Sequence, residues 1–157
     1  MTIEITLRAA TLQDIPDIIR LYAQTILTVC TADYDHRQLQ MWAKRGRDPL
    51  RWEQRIKEHY FVVAEIGCGI VGFASLTKEN HLDVFYVSKD HQRQGIASEM
   101  FEMMSLKALN NPVKTISADV SKTAEPFFTK LGFQMIKVQE HLIEGVLISN
   151  FRMEKVI

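Results

Sequence analysis

Between Leu82 and Ala108 an apolar stretch breaks into a polar turn and resumes as an amphipathic helix at a single glycine. Leu82, Val84, Phe85, Tyr86 and Val87 form a nearly continuous apolar run, the pattern of a buried strand. Downstream, Ala97, Phe101, Met104 and Ala108 recur at helical spacing. Ile96, Met100 and Met103 widen that stripe, while Glu99, Glu102 and Lys107 lie outside it. The turn between them ends in His91-Gln92-Arg93-Gln94-Gly95 and delivers the start of the helix. The first N–H groups of a helix have no intrahelical partner and carry the positive end of its dipole. Gly95 has no side chain, so an anionic group can come close to the backbone there. The turn therefore reads as a phosphate cradle.

Its spacing narrows the ligand. It is neither G-x-x-x-x-G-K-[ST], which excludes a nucleoside triphosphate loop, nor G-x-G-x-x-G, which excludes the dinucleotide fingerprint. What stands here is Gln92-Arg93-Gln94-Gly95-Ile96-Ala97, a Q-x-x-G-x-A. This resembles the pyrophosphate-binding motif of the GNAT superfamily, the acetyl-CoA-dependent N-acetyltransferases.

The chain of 157 residues fits one domain, residues 1–157. Nineteen basic residues balance nineteen acidic ones, so no net positive field draws nucleic acid, although a local basic patch is compatible with the count. The N-terminus lacks the basic stretch and apolar core of a signal peptide, and no apolar run reaches membrane-spanning length. Cys30 and Cys68 form no metal motif and no disulfide framework. The expectation is a cytoplasmic protein with reduced thiols, no metal and no membrane or nucleic-acid partner.

Read in order, Ile3 to Arg8 alternates as a first strand, and Thr11-Leu12-Gln13-Asp14 is a capping-box pattern that opens a helix with Ile15, Ile18, Ile19, Tyr22 and Ile26 on one face. Gln38 to Lys44 predicts a short helix, and Asp48-Pro49 starts another with Trp52 and Ile56 on its buried side. Phe61 to Ile66 and Ile70 to Leu76 read as a hairpin about Gly67-Cys68-Gly69, followed by a strand from His81 to Val87. After the Gly95 helix come a strand from Thr115 to Val120 in parallel pairing, a short helix stopped by Gly132, and strands Phe133 to Glu140 and Val146 to Met153 about Glu144-Gly145. The order β-α-α-α-β-β-β-α-β-α-β-β predicts a mixed α/β fold, a mostly antiparallel sheet of about seven strands with helices on both faces.

Leu7 to Ile15 resembles the opening strand and helix of many GNAT proteins. Ala124-Glu125-Pro126-Phe127-Phe128-Thr129-Lys130-Leu131-Gly132-Phe133 resembles the family's short helix ending in Gly-Phe, with Gly132 placed 37 residues after Gly95. The resemblance implies that the backbone of Phe85, Tyr86 and Val87 holds the pantetheine arm of acetyl-CoA at a bulged strand end. It implies that Gln92, Arg93, Gln94, Gly95, Ile96, Ala97 and Ser98 wrap the pyrophosphate. Ser121 stands where the family most often has an asparagine touching the pantetheine. Phe128 stands where it often has a tyrosine near the sulfur, so the hydroxyl that many relatives use as general acid is missing. Tyr34, His36, Trp42 and Trp52 read first as packing residues, while the resemblance implies that the region from Thr28 to Tyr60 forms one wall of the acceptor site and varies with substrate.

An alkyl amine has a pKa of about 10.4, so its proton must be removed as nitrogen attacks a thioester, and histidine suits that task near neutral pH. His81 and Asp83 are two apart on the predicted strand and share a face, with Leu82, Val84 and Tyr86 on the other. His81 is the candidate base and Asp83 its orienting partner or a holder of the ammonium. Val87 N–H is the candidate oxyanion donor. The implied activity is direct acetyl transfer to a small-molecule or peptide amine by a monomer or homodimer. A second reading is an acyl-CoA-binding sensor with little turnover, and Phe128 is the residue that discriminates the two.

Overall fold

A computed structural model describes residues 4–157. Strand β1 (Thr6–Ala9) leads to helices α1 (Ile15–Val29), α2 (His36–Lys44) and α3 (Pro49–Glu58). Three strands follow, β2 (Tyr60–Ile66), β3 (Gly69–Leu76) and β4 (His81–Val87). Then come α4 (Ile96–Ala108), β5 (Thr115–Val120), α5 (Glu125–Lys130), β6 (Gln134–Ile143) and β7 (Val146–Val156). The seven strands form one sheet in the order β1-β2-β3-β4-β5-β7-β6, antiparallel except for β4 with β5. The expected mixed fold and element order are present. The first strand begins at Thr6 rather than Ile3, which lies outside the described residues.

The local reasons are visible in the caps. Asp14 reaches back to accept from Thr11 N–H at 2.7 Å, and Pro16 sits in the first turn of α1, where its missing N–H costs nothing. Helix α2 starts two residues before the expected Gln38, because Asp35 accepts from Gln38 N–H at 2.8 Å and the Gln38 side chain accepts in return from Asp35 N–H at 2.9 Å. The β6–β7 hairpin turns through Glu144 and Gly145, both at positive φ (48° and 79°), as a tight two-residue turn requires.

Each face of the sheet has its own core. On one side α4 and α5 bring Ile96, Met100, Met104 and Phe128, with Phe133 just beyond α5, against Leu82, Ile116 and Ala118. On the other, α1 to α3 bring Ile18, Ile26 and Trp52 against Phe73 and Val84. Burial of a side chain of this size contributes about 1.5–3 kcal/mol.

The connection into β4 depends on Asn80, which is fully buried. Its Nδ2 donates to the carbonyls of Ala108 (3.1 Å) and Val113 (2.9 Å), its Oδ1 accepts from Asn111 Nδ2 (2.7 Å), and its own carbonyl accepts from Ser117 N–H (2.9 Å). One residue thus fixes the end of α4 and the starts of β4 and β5 relative to one another. Asn80→Ala is expected to lower the unfolding free energy in urea by about 2–4 kcal/mol. It leaves the Val113 carbonyl and the Asn111 side-chain amide without this partner, and places a Cβ residue without a polar side chain at a positive φ of 60°. A loss under about 1 kcal/mol would show that the clamp is dispensable.

Candidate active site

The parallel pairing of β4 with β5 is short. It joins His81 to Ser117 and Leu82 to Ala118, and beyond these residues the two strands part. The antiparallel register on the other side of β4 sets Gly72 opposite Val87, and Ser88 N–H donates to Val71 C=O at 2.8 Å. Backbone groups alternate edges along a strand, so the N–H and C=O of Phe85 and Val87 point away from β3, toward the opening. The Gln92 side chain closes the end of β4, its Nε2 donating to Val87 C=O at 2.7 Å and Ser88 C=O at 3.2 Å. A cleft of about 550 Å3 runs from this opening to the start of α4.

Of the residues singled out in the sequence, Asp83, Phe85, Tyr86, Val87, Gln92, Arg93, Gly95, Ile96, Ala97, Ser98, Ser121 and Phe128 line this cleft. Gln94, exposed on the turn, and His81 do not. Arg93 (φ 59°) and Gly95 (φ 84°) curl the turn, and buried Ile96 anchors the helix that follows. A Cβ on Gly95 would meet no protein atom within 4 Å, so the space over its backbone is open. His91 lines the same region, and its Nδ1 is buried without a hydrogen-bond partner among the described residues. Open backbone at a helix start, an orphaned imidazole nitrogen and free strand-edge groups suit a ligand with phosphates at one end and amides along its length. The donor set therefore fits coenzyme A.

The facing of β4 departs from simple alternation. Val84 pairs with Ser75 but Leu82 with Leu76, so Asp83 is an extra residue, a bulge. Leu82 consequently packs in the α4–α5 core, whereas Val84 and Tyr86 belong to the α1–α3 side. The expectation that Leu82, Val84 and Tyr86 share a face is corrected by this inserted residue. His81 and Asp83 also have separate partners. Asp83 accepts from Arg55 Nε at 2.7 Å and lies 3.8 Å from His59 Nδ1. His81 Nδ1 is 2.8 Å from Ser117 Oγ, and its Nε2 faces Asp119 Oδ2 at 3.5 Å.

Asp119 lines the cleft and was not singled out by sequence. His81 beside it, with Gln139 and Arg152, holds its carboxyl far below the usual range in spite of partial burial. That favours its anionic form near neutral pH and makes it a poor base. Burial has the opposite effect on Tyr86, whose phenol is pushed well above its ordinary value and stays protonated.

Phe128 packs edge-on against Phe85 and Phe133, with ring centroids 5.7 and 5.0 Å away. Ser121 Oγ accepts from Ala124 N–H at 3.1 Å, which leaves its own proton free to donate. On the far side Thr25, Val29, Cys30 and Trp42 complete the cleft. Tyr34 and Trp52 are core residues, as packing preference suggests. Among the described residues no group of three or more His, Cys, Asp or Glu could hold a metal ion, and no helix is long and apolar enough to cross a membrane.

Residues 30–155 match the acetyltransferase (GNAT) domain family. The Escherichia coli (strain K12) protein YafP, described as an uncharacterized N-acetyltransferase, is 29% identical over 140 residues, covering 89% of this chain and 88% of that one. A GCN5-related N-acetyltransferase from Rhodopseudomonas palustris superposes with a TM-score of 0.93 at 23% identity, over 100% of this chain and 99% of that one. The PaiA N-acetyltransferase of Thermoplasma acidophilum, solved in complex with coenzyme A, gives 0.81 at 16% identity over 98% and 99%. A sheet parted between its two parallel strands, with a Q-x-x-G-x-A turn at the open end, is thus found on a chain whose sequence matches that family along four-fifths of its length: it belongs to the GNAT family of acetyl-CoA-dependent N-acetyltransferases.

Proposed function

We propose that this chain, as one domain, transfers the acetyl group of acetyl-CoA directly to an amine held beside it in a ternary complex. The observation that supports this most is the opening between β4 and β5, which leaves the Val87 N–H free at the edge of a cleft ending in the Gly95 turn. The turn from Gln92 to Ser98 receives the pyrophosphate, and the backbone edge of Phe85 to Val87, with the Ser121 hydroxyl, receives the amide-bearing arm. Val87 N–H donates to the thioester oxygen on which negative charge gathers, the kind of preorganised contact worth about 10²–10³-fold in rate.

His81 takes the amine's proton at Nδ1, the nitrogen turned from Asp119, as the N–C bond forms and the C–S bond breaks. The Ser117 hydroxyl and water relay it, because His81 does not line the cleft. Asp119, ionised near neutral pH, stabilises the resulting imidazolium. Asp83, tied to Arg55, holds the amine rather than His81. The departing sulfur is a thiolate whose conjugate acid has a pKa of about 8.5, so its expulsion does not demand a dedicated acid. Phe128 then serves as packing for the arm.

The test is acetyl-CoA-dependent thiol release across a panel of small amines and peptides, with Phe128→Tyr compared on the best acceptor. The natural protein should turn over, and the added hydroxyl should raise the rate by no more than about 10²-fold, the low end for a general acid. Binding of acetyl-CoA without turnover by the natural protein, together with activity in the tyrosine variant, would overturn the enzyme reading in favour of an acyl-CoA sensor.

A further inference from the structure

The cations of this neutral chain are unevenly spread. Residues 37–57 hold seven of its nineteen Lys and Arg against two carboxylates, Asp48 and Glu53. Four of the seven, Lys44, Arg45, Arg47 and Arg51, line an open cleft of about 640 Å3 between the α2–α3 connection and the tip of the β6–β7 hairpin. Lys44 is paired with Glu144 at 3.3 Å. Arg45, Arg47 and Arg51 have no carboxylate within ion-pair distance among the described residues. Asp48 lies among them, but its Oδ1 is engaged as the cap of α3, accepting from Leu50 N–H at 3.0 Å.

The loop that bears Arg45 and Arg47 is built into the core. Gly46 sits between Arg45 and Arg47, and its carbonyl accepts from the fully buried Trp52 indole at 2.9 Å. A Cβ at Gly46 would lie 2.2 Å from the Tyr22 ring, so the backbone is seated directly on that ring. A fixed backbone spares the cost of ordering the loop, so an anion bound there immobilises only the guanidinium side chains. Helix α2 contributes to both clefts, Met41 to this one and Trp42, the next residue, to the one between β4 and β5.

We propose that this second cleft binds the acidic stretch of a peptide acceptor whose amine reaches the β4–β5 opening. It rests on the acetyl-transfer reading above and names the class of acceptor. Arginine forks match carboxylates two bonds at a time, and Met41 and Ile143 add apolar surface for the intervening side chains. Glu144 and Asp48 interrupt the positive surface. That spacing suits separated carboxylates and repels a continuous phosphate backbone.

The experiment is fluorescence anisotropy with a labelled peptide alternating Glu and Leu, its N-terminus acetylated so that it cannot react. The expected result is saturable binding that weakens at least about tenfold in Arg47→Glu/Arg51→Glu and falls with added salt. Calorimetry should give the double variant an unchanged affinity for coenzyme A, which shows that it is folded. Because the probe is inert, the outcome does not depend on turnover, and failure here is distinct from failure of the acetyl-transfer reading. No saturation up to about 1 mM peptide, or equal binding by the double variant, would overturn the proposal. Displacement of the peptide by a tighter-binding single-stranded oligonucleotide would overturn it in favour of nucleic acid.

Discussion

Gly95→Glu should lose coenzyme A binding by at least about 10²-fold in calorimetry while keeping its fold, because a like charge set against a bound anion costs several kcal/mol. The structure separates the causes of that loss. No protein atom lies within 4 Å of a Cβ placed on Gly95, so the new side chain displaces ligand rather than protein. The φ of 84° adds backbone strain of about 1–2 kcal/mol for any residue with a Cβ, enough to lower stability but not to unfold a domain of this size. Gly95→Asn serves as the control, since asparagine tolerates the left-handed region and brings no charge. It should lose less affinity than Gly95→Glu, the difference between the two reporting the charge and the remainder the crowding of the ligand. If Gly95→Glu binds as tightly as the natural protein, the turn does not hold the phosphates.

The second large effect is expected at His81. His81→Gln should reduce kcat by about 10²–10⁴-fold, the usual worth of a general base, and leave coenzyme A affinity nearly intact, because His81 lies outside the lining of the cleft. The natural protein should show an ascending limb in its kcat–pH profile that the variant lacks. Glutamine keeps a hydrogen-bonding group for Ser117 and Asp119, so the comparison isolates proton transfer from local packing. Normal turnover by the variant across that pH range would assign the proton to Asp83 or to a chain of waters.

The element order was legible because each element carries its own local signal. Caps at Asp14 and Asp48, turns at Gly67 and Gly145, and the stripe from Ile96 to Ala108 state where helices and strands begin and end. The box of Asp35 with Gln38 was equally local and would have placed the start of α2 correctly. What could not be read are features made by pairing. The bulge at Asp83 arises from how β4 registers on β3, and no periodicity within Leu82 to Val87 announces one inserted residue. Asp119 looks like any outward residue of an alternating strand until β5 is laid beside His81. Thr25, Cys30 and Trp42 reach the cleft only because α1 and α2 cross the sheet where they do. The cradle, by contrast, is contiguous, and a contiguous site is what a sequence displays best.

The division of the hydrophobic interior into two cores has a consequence for how such a chain changes over generations. The buried residues of α1 to α3 and those of α4 and α5 form separate groups, with the sheet between them. Drift in the stretch from Tyr34 to Trp52 is therefore absorbed by repacking on one side, without disturbing Ile96, Met100 or Phe128 on the other. A lineage can therefore remodel the α1–α3 side while inheriting the Gly95 turn and the core beneath it, so two descendants sharing that turn need not share a diet.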